Sequence, residues 1–193
     1  MRRLGATRRG AAAVVGVAML GFLAAIVLAS CGGSAAKSDD QQDKDYFNAG
    51  LRAQQAGNLT EASADYRKAL AHNPSDKFAY FDLGLIDQQT GNTDAAEKNY
   101  RAALQVDPNF VSALFNLAIV RTPVDAPEAE QLYRHVITLQ PGGASSHLNL
   151  GFLLRSLGRK EEAKAEFAKA VALDASVAGR VPADSRSAAA PSH

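Results

Sequence analysis

Tryptophan is absent from these 193 residues, cysteine occurs once, and methionine occurs only twice. A single cysteine excludes an intrachain disulfide and any thiolate metal cluster. Aromatic residues are also scarce, at 7%, although 47% of the chain is apolar. Much of that apolar share is alanine, which combines the highest helix propensity with little side-chain bulk. An all-α fold follows as the first expectation. Charge of either sign is nearly balanced at +1, but its placement is uneven. No Asp or Glu precedes Asp39, whereas Arg2, Arg3, Arg8 and Arg9 stand in the first ten residues. Those four belong to the 21 basic residues, which leaves 17 against 20 acidic ones for the rest. A body of that sign lacks the clustered basic face that phosphate neutralisation requires, so nucleic acid is not an expected partner. His72, His135, His147 and His193 are scattered without metal-ligand spacing, and no metal or cofactor is expected. A nucleophile–base arrangement, a glycine-rich phosphate loop and a paired-carboxylate pocket are all missing as well. The chain therefore reads as a non-enzyme.

What is present begins with an address. The four arginines precede Ala11 to Ser30, 20 residues without a charge, closed by Leu28-Ala29-Ser30-Cys31 and then Gly32-Gly33-Ser34. That ending resembles the lipobox of bacterial lipoproteins, in which the cysteine is lipid-modified and becomes the new N-terminus. The resemblance implies lipidation at Cys31, with residues 1–31 as the signal peptide. An uncleaved single-pass anchor also fits, since about 20 apolar residues span a bilayer core, and an ordinary secretory signal is the third reading. In all three, arginines before the span keep the N-terminus cytoplasmic by the positive-inside bias. The body is then expected at the extracytoplasmic face of the cell membrane. Residues 32–42, GGSAAKSDDQQ, have no large apolar side chain and read as a flexible linker.

Beyond the linker the chain repeats itself. Gly50, Gly84, Ala118 and Gly151 are spaced by 34, 34 and 33 residues. Ala62, Ala96, Ala129 and Ala163 keep the same period, as do Tyr66, Tyr100, Tyr133 and Phe167. Pro74, Pro108 and Pro141 close the first three units, and Ala175 stands in the fourth such place. A period of this length marks a stacked array of supersecondary units. Small residues on both helices of a unit let their backbones approach closely, and the Tyr or Phe one turn on fills the gap toward the neighbour. Gly57, Gly91 and Gly158 fall where a left-handed cap would end each first helix. The third unit replaces that glycine with Thr122-Pro123-Val124-Asp125-Ala126-Pro127-Glu128, one residue shorter. There Pro123 stops the first helix, and Asp125 with Glu128 has capping-box spacing.

These residues resemble the tetratricopeptide repeat (TPR) family over about 134 residues. The resemblance implies a right-handed superhelical solenoid of four helix-turn-helix repeats, preceded by the N-terminal signal or anchor helix. The units are 43–76, 77–110, 111–143 and 144–176, followed by a disordered tail at 177–193. A tail of that kind would leave Phe167, Val171 and Leu173 of the last helix partly open. Within such a fold the first helices line a groove, where Asn48, Asp82, Asn116 and Asn149 would form one row. Phe47, Phe81, Phe115 and Leu148 would form a second, and Leu51, Leu85, Ile119 and Phe152 a third. Amides offer both a donor and an acceptor, so the first row suits a peptide backbone while the apolar rows suit its side chains. The family's carboxylate clamp, a basic set that grips acidic peptide C-termini, is absent: Phe47, Leu51, Ser112 and Asn116 occupy its places. Arg67, Arg101 and Arg134 would lie on the solvated opposite face.

The expected function is a membrane-tethered adaptor whose groove binds an extended peptide or helix of a protein partner. The alternative is a structural subunit that self-assembles, as a homo-oligomer, through its open terminal repeat. Cys31→Ala is expected to abolish metabolic labelling with a fatty acid and to leave a precursor about 30 residues longer. A wild-type protein that is unlabelled and retains Met1 would instead identify the uncleaved anchor.

Overall fold

The computed structural model describes residues 38–186 of the chain. The signal or anchor segment and Cys31 lie outside the described residues. Among those described, no helix is long and apolar enough to cross a membrane. Eight α-helices follow one another: α1 Asp39–Gln55, α2 Leu59–His72, α3 Lys77–Gln89, α4 Thr93–Val106, α5 Val111–Arg121, α6 Ala126–Leu139, α7 Ala144–Ser156 and α8 Lys160–Leu173. Consecutive helices pack on each other throughout, within a repeat and from each repeat to the next. Helices α3, α5 and α7 start at Lys77, Val111 and Ala144, the first residues of units two, three and four.

Within the first, second and fourth units an aromatic ring is laid on a residue with no side chain. A Cβ added at Gly84 would stand 2.5 Å from Tyr100 Cε1, and one at Gly50 or Gly151 would stand 2.7 Å from Tyr66 or Phe167. Tyr66, Tyr100 and Phe167 are buried as a result. Each ring also reaches its surroundings beyond the glycine: Tyr66 clusters with Ala79, Leu83 and Ile86 of the next unit, and Tyr100 with Leu117 and Val120. The hydroxyls are satisfied at the rim, where Tyr66 donates to Gln54 Oε1 at 2.6 Å and Tyr100 to Gln88 Oε1 at 2.7 Å.

The turns show which signals act. Gly57, Gly91 and Gly158 have φ of 80°, 80° and 77°, the left-handed region that side chains disfavour. The stop after each second helix is less a matter of proline than expected. Asn73, Asp107, Gln140 and Asp174 all leave helical geometry at that place, and α8 ends there although Ala175 follows. Side chains close three of these stops: Asn73, Asp107 and Asp174 accept from the amides of Ser75, Asn109 and Ser176. Such local bonds compete with helix continuation whether or not proline follows. In the third unit Asp125 accepts from the Glu128 amide at 3.0 Å, one half of the capping box. The Glu128 side chain turns instead to Arg101 and Arg121.

Two boundaries differ from the sequence expectation. Residues 39–42, expected in the linker, are helical: Ser38 caps α1, and Asp39 and Asp40 complement its N-terminal dipole. That first turn is also tied to the end of α2, through His72 to Asp39 at 3.1 Å and Asn73 to Asp43 at 3.0 Å. At the other end, the segment expected as a disordered tail folds back in its described part. Residues Ala175–Arg180 and Ala183–Ser185 form short 3₁₀ turns, and Val177 and Val181 are buried against the last unit. Phe167 is 1% exposed, so of the three residues expected to be partly open it alone is closed: Val171 is half-buried and Leu173 is 46% exposed.

Charges on the second helices and at the turns before them join the units. Glu97 pairs with Arg101 and Arg121, and Glu128 with the same two arginines. One unit further on, Glu130 pairs with Arg134 and Arg159, and Glu162 with Arg159. Arg101 and Arg134 thus belong to an inter-repeat network instead of a merely solvated stripe, and the arginines hold Glu97, Glu130 and Glu162 below the usual carboxylate range. His147, which replaces a packing aromatic, is buried with Glu166 at 2.6 Å from Nδ1 and the Pro141 carbonyl at 3.3 Å from Nε2.

Gly84→Ala puts a methyl group into the Tyr100 ring, and overpacking of this kind costs about 1–3 kcal/mol. Thermal unfolding should drop accordingly, while Gly142→Ala, where nothing lies within 4 Å of the added Cβ, should leave the transition in place.

Candidate functional site

The groove expected from the sequence has a definite substructure. In every unit an aromatic of the first helix leans on the core aromatic of the second. Phe47 meets Tyr66 at 5.5 Å between ring centroids, Phe81 meets Tyr100 at 5.9 Å, Phe115 meets Tyr133 at 6.0 Å and Phe152 meets Phe167 at 5.1 Å. The fourth pair uses Phe152, from the third row, because Leu148 of the second row is fully buried. These first-helix side chains are half-buried or exposed, so each has one face on the core and one toward solvent. Phe115 is therefore part of the packing and not clear of it.

Two cavities gather predicted residues. One, of about 520 Å³, is lined by Phe81, Phe115 and Asn116 together with Ser112, Gln140 and residues 142–146. The other, of about 330 Å³, is lined by Ile119, Asn149 and Phe152 with Thr122, Pro123, Tyr133 and Ser156. Phe47, Asn48, Leu51, Asp82 and Leu85 border neither of these two. The added lining residues come from α5, α6, α7 and the connections after α5 and α6. Their signal in the sequence is only Pro123 and the Gly142-Gly143 pair, which mark turns and say nothing of a cavity.

The polar row is less uniform than its register suggests. Asn48 is exposed. Asn116 donates through Nδ2 to the Ser112 carbonyl of its own helix at 2.9 Å. Asn149 lines one cavity with Tyr133, whose hydroxyl lies 3.5 Å from Thr122 Oγ1 and has its pKa pushed up by burial. Asp82 is half-buried, and desolvation with the like charge of Asp76 pushes its pKa up to about 6. No group of three or more His, Cys, Asp or Glu among the described residues is arranged to hold a metal ion.

Comparison with known proteins now fixes the class. Sequence models of the tetratricopeptide repeat match residues 47–87, 78–110 and 144–177. The chain belongs to the tetratricopeptide repeat family, whose arrays are protein-interaction scaffolds. No curated protein sequence matches it. Among solved structures, MamA superposes with a TM-score of 0.66 at 20% identity, covering 73% of this chain and 83% of that one. PilF of Pseudomonas aeruginosa gives 0.62 at 28% identity, covering 72% and 64%. The first repeat domain of Spaghetti (RPAP3), bound to an HSP90 peptide, gives 0.59 at 18%, covering 63% and 97%. The all-helical repeat fold is thereby shown.

A carboxylic acid whose pKa is raised by folding favours the native state in its neutral form. That contribution is complete below the unfolded value of about 3.9 and is lost as pH rises through about 6. Asp82→Asn should therefore stabilise the array by about 1 kcal/mol at pH 8, after allowance for partial exposure, and by close to nothing at pH 4. Urea unfolding followed by circular dichroism at both pH values measures the difference.

Proposed function

We propose that the chain is a protein-interaction scaffold whose first-helix face holds an extended peptide segment of a partner protein at the outer side of the cytoplasmic membrane. The observation that carries this reading is the row of aromatic side chains repeated once per unit, each supported from behind by a core ring and open in front. Such a row offers apolar contact that is already ordered, so little rotamer freedom is lost when a ligand covers it. Between the aromatics lie amides of Asn48 and Asn116, and the two cavities set beside them accept side chains. Membrane tethering and the outward address rest on the arginine-flanked apolar segment and on Leu28 to Cys31. Lipidation at Cys31 is the first form of that attachment, and an uncleaved anchor the second.

Spaghetti, similar in fold, holds an HSP90 peptide, which supports peptide capture by arrays of this kind. An acidic chaperone C-terminus is not the proposed ligand here, since Phe47, Leu51, Ser112 and Asn116 supply no cation. The self-assembly alternative has less apolar surface to rest on, because Val177 and Val181 lie over the last unit and Leu173 is what stays exposed of the three residues named for it.

A photo-crosslinking amino acid at Asn116 should capture a protein partner in intact cells, and the same group at the exposed Arg67 should not. Ser112→Trp, which fills the cavity without removing any packing, should weaken capture at least about tenfold. Phe115→Ala should weaken it more than Asn116→Ala, because a buried aromatic contributes about 1.5–3 kcal/mol and a hydrogen bond about 0.5–1.5. It should also lower the melting temperature slightly through the lost Tyr133 contact. Capture from Arg67 alone would move the docking surface to the second helices and end the groove reading.

A further inference from the structure

Asp82 is where the polar row changes from amide to acid, and its carboxylate is left without a partner. Among the described residues it accepts no hydrogen bond and forms no ion pair. Tyr66 and Tyr100 both feel its charge, yet their hydroxyls donate to Gln54 and Gln88. Asn116 donates to its own helix. Lys77, on the first turn of the same helix, is held by Asp107. The group that does act on Asp82 is Asp76, another carboxylate, which caps the helix start and is not ion-paired. Folding thus half-buries an acid beside a like charge, and the raised pKa reflects that penalty.

A carboxylate in that position is complementary to a cation, because only a cation offsets both the desolvation and the neighbouring charge. Apolar side chains stand on the same helices: Phe81 and Leu85 flank Asp82 on α3, and Phe47 and Leu51 of α1 pack on the cluster that holds Leu83 and Ile86 of α3. A long basic side chain matches such ground, with its methylene stem on the apolar rows and its head on the acid. We propose that Asp82 takes the ammonium or guanidinium of a lysine or arginine in the bound segment, so that the partner of this groove is an extended apolar peptide carrying one basic residue. This deepens the groove reading and rests on it. An acidic segment meets repulsion at the same place, a polarity opposite to that of the carboxylate clamp.

The probe is a displayed library of random nonapeptides, panned on the full-length protein in detergent. Wild type should select peptides with a Lys or Arg at a constant distance from apolar residues. Replacing that basic residue by norleucine should cost at least about tenfold in affinity, and the loss should shrink to nothing on Asp82→Asn. Asp82→Lys should reject the basic peptide and prefer its glutamate analogue. If norleucine binds as well as lysine while Ser112→Trp still abolishes binding, the groove stands and this inference falls. If peptides bind but ignore Ser112→Trp, or if none is selected, the groove reading falls and this inference falls with it.

Discussion

Every other feature of this array depends on a ring resting on bare backbone. Tyr66 on Gly50, Tyr100 on Gly84 and Phe167 on Gly151 bring the two helices of a unit closer than any side chain would permit. The ring's other contacts then decide what lies on each side. Toward the next unit they are Ala79, Leu83 and Ile86, or Leu117 and Val120, which sets how units stack. Toward the first-helix face they are Phe47, Phe81 and Phe152, which sets where the candidate groove is. One residue type per 34 positions thus fixes the hairpin, the stack and the binding surface together. The third unit keeps Ala118 where the others have glycine, so its Tyr133 cannot settle as deeply. Its ring pair is the most widely spaced of the four and its first helix, with 11 residues, is the shortest.

Apolar contact is not all that couples the units. Arg101, Arg121, Glu97 and Glu128 join the second unit to the third, and Glu130 with Arg159 joins the third to the fourth. Exposed ion pairs contribute little singly, about 0–1 kcal/mol, but here two arginines share two glutamates and Arg121 is largely buried. The shortened connection of the third unit is where these charges converge. Arg121 ends α5, Asp125 caps α6, and Glu128 follows one turn later. That unit has replaced a glycine turn by proline, capping and charge.

Most of the fold is legible in the sequence because periodicity reports packing directly. A slot that holds Gly, Gly, Ala and Gly, matched by one that holds Tyr, Tyr, Tyr and Phe, specifies the same close helix crossing four times over. The helix stops are harder to assign, since an Asx turn and a proline so often sit side by side. Proline draws the eye, yet Asn73, Asp107 and Asp174 close those helices. The two ends mislead for a related reason. Ser38 and the acids after it have linker composition, and Val177 and Val181 look like strays in an Ala/Ser-rich tail. Only their three-dimensional neighbours, His72 and Asn73 in one case and the α8 face in the other, show that they are held. At the candidate groove, register places the rows on the first helices but does not tell which amides are already occupied. Asn116 is engaged by Ser112, whereas Asp82 has no hydrogen-bond or ion-pair partner among the described residues.

The folded-back segment after α8 also changes what the last unit presents to its surroundings. A repeat array has no inherent reason to stop, since the last unit presents to its surroundings the same surface that every unit presents to the next. Val177 and Val181 cover part of that surface, and Arg155 with Asp184 fastens the segment at 3.1 Å. Growth of the solenoid by a further unit, whether duplicated within the gene or borrowed from a second molecule, would have to displace this plug first. At this end of the described repeats, a further unit would compete with the chain's own residues for the α8 face.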